Sequence, residues 1–219
     1  MSEMNFEQAR FNMIEQQIRP WEVLDQRVLE VIAQTPREAF VPARYRNLAF
    51  ADVRIPLGHE QTMMNPNVEG RLLQALALTP TDAILEVGTG SGYLSACLAK
   101  LGASVLSVDI FADFTDAGRA ILQNQGCRNV KLQTGNAARD WSNRLFDAIV
   151  ITGSMPFLPD TWKQRLALNG RLFAIIGEEP IMEAMLITRI GEQQWLSESL
   201  FDTELPPLID FDKPEVFEF

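Results

Sequence analysis

The sequence predicts an α/β protein built on a doubly wound, mostly parallel, seven-stranded sheet with antiparallel edge strands at its C-terminal end. Three observations carry that prediction. Short apolar runs alternate with segments of helical periodicity from residue 84 onward. A glycine-rich turn joins the first run to the first helix, and the last two runs are joined by Gly191-Glu192 as a hairpin. Buried parallel strands read as near-continuous apolar runs, and their crossovers are helices.

The elements follow in order. Ile84-Leu85-Glu86-Val87 is a strand that ends in Gly88-Thr89-Gly90-Ser91-Gly92-Tyr93-Leu94. Strand, tight turn and helix N-terminus in that order make a nucleotide-cofactor site, because the backbone must approach the ligand with no Cβ in the way. A dinucleotide fingerprint reads G-x-G-x-x-G, but here Tyr93 holds the place of the third glycine, and Glu86 stands two residues before the first. Ser91 to Leu101 reads as a helix with Leu94, Cys97, Leu98 and Leu101 on one face, stopped at Gly102. Ser104 to Val108 is the second strand. Asp109 ends it, placed either to accept from ribose hydroxyls or to cap the next helix. That helix runs from Phe111 to Gln125 and closes at Gly126.

Val130 to Thr134 is the third strand, followed by Gly135-Asn136-Ala137. Phe146 to Thr152 is a buried strand, Pro159 to Leu168 a helix, Asn169-Gly170 a turn and Arg171 to Gly177 a strand. Met182 to Ile190 and Trp195 to Phe201 form the closing hairpin. Ahead of all this, Glu7 to Gln17 and Gln26 to Thr35 read as amphipathic helices that cap the sheet and wall a pocket. The whole is expected to be a single domain over residues 1–219, with a helical cap at 1–55 and the cofactor-binding core at 56–219.

Composition narrows the function classes. A net charge of −10, with no Lys/Arg cluster, argues against a nucleic-acid partner. No apolar run reaches the length of a membrane span, and Met1-Ser2-Glu3-Met4-Asn5 does not begin a signal peptide. Cys97 and Cys127 suggest no disulfide framework, so a cytoplasmic location is expected. His59 is the only histidine and no Cys/His ligand spacing exists, so no metal site is expected.

The E-x-G-x-G-x-G form of Glu86 to Gly92 resembles the first motif of S-adenosylmethionine-dependent methyltransferases. The N-terminal half narrows this further. Pro36-Arg37-Glu38-x-Phe40-Val41-Pro42, Ile55-Pro56-Leu57-Gly58-x-x-Gln61-Thr62-x-x-x-Pro66 and the late Leu205-Pro206-Pro207-Leu208 resemble, in matching order, the protein-L-isoaspartate O-methyltransferase family. The resemblance implies a Rossmann-like methyltransferase fold, with S-adenosyl-L-methionine as cofactor. It also implies isoaspartyl-containing proteins or peptides as methyl acceptors, with another protein or small-molecule acceptor as the alternative. On that resemblance Glu86, Gly88, Thr89, Gly90, Ser91, Gly92, Tyr93, Asp109, Ile110, Gly135, Asn136 and Ala137 are the cofactor residues. Gln61, Asn65, Leu205 and Pro206 are then expected at the acceptor, with Thr62, Met64 and His59 at the chemistry.

A carboxylate is already anionic at neutral pH, so the reaction asks for alignment and exclusion of water more than for a base. The sequence departs from the family at the acceptor. Met64 stands at the position of a serine hydroxyl, and a thioether cannot donate a hydrogen bond. Asn136 replaces an acid, and Glu204-Leu205 stands where Arg-Phe is expected. A third reading, a module that binds the cofactor without turnover, follows from these departures.

Overall fold

The computed structural model describes residues 5–137 and 144–210; the N-terminal leader reading rests partly on residues outside that range. The predicted alternation is present. A seven-stranded sheet has the order β5-β4-β3-β6-β7-β8-β9. Its strands are β3 (Ala83–Val87), β4 (Ser104–Asp109), β5 (Val130–Thr134), β6 (Phe146–Met155), β7 (Leu166–Glu178), β8 (Ile181–Gly191) and β9 (Gln194–Asp202). The pairs from β5 through to β7 are parallel, and β7–β8 and β8–β9 are antiparallel. Order reverses between β3 and β6, and the carboxyl ends of strands at such a reversal open a crevice for ligands.

Alternation along each strand feeds two cores. Ile84, Val105, Val150, Phe173 and Ile175 face one hydrophobic cluster, and Leu85, Val108, Ile149, Leu172 and Ala174 face the other. The first cluster takes α4 (Tyr93–Leu101) and the whole N-terminal segment: α1 (Phe6–Met13), α2 (Gln26–Gln34) and α3 (Pro66–Leu76). The second takes Trp162 of the single turn α6 (Asp160–Lys163). Helix α5 (Ala112–Asn124) packs against β4 and β5.

Four elements differ from expectation. The first helix runs on from Met13 as a π-helical turn over Ile14–Ile18, ahead of Pro20. A two-stranded hairpin, β1 (Ile55–Gly58) and β2 (Gln61–Met63), turns at His59-Glu60, both at positive φ. Helix α3 follows it, with Pro66 in its first turn, where the missing N–H costs nothing. The helix expected over residues 159–168 is only Asp160–Lys163, and β7 begins at Leu166. There Leu166 is buried and pairs in register with Phe146 of β6, so the sheet takes up a segment that the apolar pattern gave to the helix.

One buried ion pair locks the N-terminal segment onto the core. Arg37 is fully buried and pairs with Glu69 of α3. Its second guanidinium nitrogen donates to the Met64 carbonyl at 2.6 Å. The same guanidinium lies 4.7 Å over the ring of Tyr93, which meets Phe40 edge-on. Burial pushes the Glu69 carboxyl up to about 7, against the pull of Arg37.

Stranding the carboxyl of a buried pair costs about 3–5 kcal/mol. Arg37→Met is therefore expected to lose about that much in denaturant unfolding. The loss should grow as pH rises, because the stranded Glu69 keeps its proton only at low pH. Adding Glu69→Leu should recover much of it, and a double variant as unstable as the single one would contradict this assignment.

Candidate cofactor and acceptor site

Conformation and contact require the glycines at the end of β3. Gly88 has φ +94, and a Cβ there would lie 2.1 Å from Thr152 Oγ1. Gly90 has φ +49, and its Cβ would lie 3.1 Å from Leu57 of the hairpin. Both values fall in the left-handed region that L side chains rarely adopt. Thr152 of β6 donates to the Val87 and Gly88 carbonyls at 2.9 and 3.0 Å, holding the turn from the neighbouring strand.

Asp109 closes the turn from the other side. One carboxylate oxygen accepts from the Gly90 N–H at 2.9 Å, the other from the Phe111 N–H at 3.0 Å. It is thus tied to the start of α5 and to the glycine turn at once. Burial pushes its carboxyl up, opposed by the backbone donors of Gly90, Phe111 and Thr89. Each carboxylate oxygen has two acceptor sites, so acceptor capacity remains beyond its backbone donors.

These residues open onto a cleft of about 730 Å³, counting its mouth. Of the residues the sequence pointed to, Gln61, Thr62, Gly88, Gly90, Asp109, Ile110, Gly135, Asn136 and Ala137 line it. A smaller pocket of about 320 Å³ continues from it at Thr62, Gly88 and Gly90, between the glycine turn and Met63-Met64. Thr89, Ser91, Glu69 and Glu86 line that second pocket. The Thr62 hydroxyl lies buried where the two meet, with no hydrogen-bond partner among the described residues.

Other residues sit elsewhere. Tyr93 turns its side chain away from both pockets, into the N-terminal core beneath Arg37. Glu86 is fully buried beside Ser95 and Ser107; one of its oxygens accepts from Ser95 of α4, and the other has no hydrogen-bond partner among the described residues. Burial pushes its carboxyl up to about 8. His59 lines neither pocket. Its ring stacks on Phe111 at 3.8 Å and meets the Asp113 carboxylate at 2.9 Å, so it braces a cavity wall. His59 holds the Asp113 carboxyl below the usual carboxylate range.

Asn65 turns out of the cleft and donates to Asp52 at 2.8 Å. Leu205 is buried, and its carbonyl and that of Pro206 are taken by Ser154; the cleft wall is formed instead by Leu208 and Ile209.

Sequence reasoning passed over Leu57, Phe111, Phe114, Thr152 and Trp162, which also line the cleft. Thr152 was within reach, since it ends a strand beside the reversal point. Phe114 and Trp162 carried no signal beyond helical apolarity. Among the described residues, no cluster of His, Cys, Asp or Glu suits a metal, and no helix is long and apolar enough to cross a membrane.

A parallel sheet reversing at a glycine turn, closed by an acid at the end of the next strand and carrying an antiparallel edge, is the Rossmann-like methyltransferase fold. The chain belongs to the protein-L-isoaspartate(D-aspartate) O-methyltransferase family, whose model matches residues 8–211. It is similar to protein-L-isoaspartate O-methyltransferase 1 of Rhodopseudomonas palustris strain HaA2: 35% identical over 94% of this chain and 84% of that protein. The Gloeobacter violaceus protein-L-isoaspartate O-methyltransferase is 34% identical, over 90% of this chain and 96% of its own length. In three dimensions the chain matches a Plasmodium falciparum protein assigned to the same enzyme class and solved with S-adenosyl-L-homocysteine. That match has a TM-score of 0.80, with 22% identity and coverage of 94% of this chain and 99% of that one.

The buried Glu86 makes a testable statement. Its folded-state pKa lies above the ordinary 4.5, so the folded protein holds a proton that the unfolded chain releases. Its contribution to stability is complete below about 4.5 and is lost as pH rises through about 8. Glu69, pushed up to about 7, titrates over an overlapping range and shares in the decline. Glu86→Gln is expected to flatten that decline in denaturant melts. An unchanged slope would contradict a protonated Glu86.

Proposed function

We propose that the chain transfers a methyl group from S-adenosylmethionine to the carboxylate of an isoaspartyl residue in a polypeptide. The Thr62 hydroxyl, buried where the two pockets meet with no hydrogen-bond partner among the described residues, carries this reading. A buried, unsatisfied hydroxyl is costly, and an entering carboxylate would take up its donor. The family match supports the acceptor class.

The residues present fit the cofactor. Gly88 and Gly90 bring their backbone to the cleft wall. Asp109 keeps acceptor capacity for the two ribose hydroxyls while both of its backbone bonds stand. Ile110, Phe111 and Phe114 offer an apolar wall to the adenine, and the Asn136 carbonyl suits its amino group. When bound, the sulfonium would supply an activated methyl, to which a carboxylate oxygen would bond as the carbon–sulfur bond breaks and the sulfur keeps the bonding pair.

What the protein adds is placement. Thr62 and the neighbouring backbone hold the acceptor oxygen, and the apolar side chains of Leu57, Met63 and Met64 keep water from the path. Arg37 fixes the Met64 carbonyl from behind, so the loop keeps its course with a thioether at the serine position. No general base is required, in keeping with His59 standing outside the pockets.

Labelled cofactor with an isoaspartyl peptide and its aspartyl twin tests the reading. Label is expected only on the isoaspartyl form. Restoring a donor with Met64→Ser should raise its turnover by at most about 100-fold, the scale of one well-placed donor. Labelling of neither peptide in either protein, with S-adenosylhomocysteine still bound in calorimetry, would point to a different acceptor.

Asp109→Ala should weaken S-adenosylhomocysteine by about 1.5–3 kcal/mol through lost charged hydrogen bonds. It should weaken it further by loosening the glycine turn. Unchanged affinity would make Asp109 a cap alone.

A further inference from the structure

The loop that carries Thr62 also borders a second cleft, of about 970 Å³ counting its mouth, which shares no residue with the cofactor cavity. Three segments run from one to the other: Arg54 to Leu57, Asn65 back to Thr62, and Glu204 to Leu208. Each step is three or four residues, at most roughly 14 Å of extended chain. A polypeptide lying in this cleft therefore runs up to the acceptor loop.

The lining suits such a chain. Trp21 and Ile181 stand exposed on its walls, Ile181 at 75%, and isolated apolar side chains of that size serve as supports for a bound segment. The charges are lopsided, with Asp52, Asp202 and Glu204 against Arg54. Asp52 is committed to the amides of Asn65 and Asn67. The Arg54–Glu204 pair is loose: 3.4 Å, with both side chains at least 40% exposed. A pair of that kind holds its partners weakly, so Glu204 can turn to an incoming cation at little cost.

We propose that this cleft seats the acceptor chain beside its methylated residue. Through Glu204 and Asp202 it favours acceptors whose neighbouring side chains are cationic over those whose neighbours are anionic. This rests on the isoaspartyl reading above.

Three isoaspartyl peptides test it, identical except for Lys, Gln or Glu on both sides of the isoaspartyl residue, with the wild-type chain and Glu204→Lys. With the wild type, kcat/KM is expected to fall from Lys to Gln to Glu, about three- to fivefold across the series, the scale of one exposed ion pair. The difference should lie in KM, with kcat unchanged, and shrink as salt is raised. Glu204→Lys should reverse the order. Equal kcat/KM for all three peptides in both proteins overturns the proposal and leaves the isoaspartyl reading standing. A Glu204→Lys variant that keeps the wild-type order but changes its mass in light scattering makes the cleft a contact between copies, which also overturns it. No methylation of any peptide, with S-adenosylhomocysteine bound, removes the isoaspartyl reading and the proposal with it.

Discussion

A buried guanidinium cannot stand alone in a protein interior, and that constraint organises the N-terminal third of this molecule. Arg37 lies where α3, the acceptor loop and α4 converge, and each supplies something it needs: the Glu69 carboxylate, the Met64 carbonyl and the Tyr93 ring face. Satisfying Arg37 therefore places the acceptor loop relative to the helix that begins at the glycine turn. The N-terminal helices are thereby tied to the loop of Thr62. Their residues share a hydrophobic cluster with β3, β4 and α4.

The cofactor side depends on a second convergence, at the carboxyl ends of three adjacent strands. Asp109 from β4, Gly88 and Gly90 beyond β3 and Thr152 from β6 hold one another through backbone groups. All of these bonds run between groups of the protein itself, and they give the cradle a defined shape. The His59–Phe111 stack then braces the cavity wall from the hairpin turn. For a reaction between an activated methyl and an existing anion, placement is most of what catalysis requires.

The sheet was legible because its signals are local. Apolar runs, glycine stops and the closing hairpin each sit within a few residues, and all seven strands appear where the pattern put them, apart from the early start of β7. The glycine turn and Asp109 were legible because they combine residue type with position at a strand end. What stayed hidden depends on pairing across the chain. Arg37 and Glu69 are 32 residues apart, and nothing near either one marks it as buried. Tyr93 lies within the glycine motif, yet its ring faces the cap, under the Arg37 guanidinium and edge-on to Phe40. Leu205 and Pro206 were expected at the acceptor, but Ser154 draws their carbonyls inward and leaves the wall to Leu208.

The central claim is that Thr62 and the backbone of its loop receive the acceptor, with Arg37 holding the loop from behind. A crystal structure with S-adenosylhomocysteine and an isoaspartyl peptide tests this most directly. The account predicts the isoaspartyl carboxylate within hydrogen-bond reach of Thr62 Oγ1, with Arg37 still bound to Glu69 and the Met64 carbonyl. A carboxylate seated away from Thr62, or Arg37 swung out of its pair to meet it, would contradict the account.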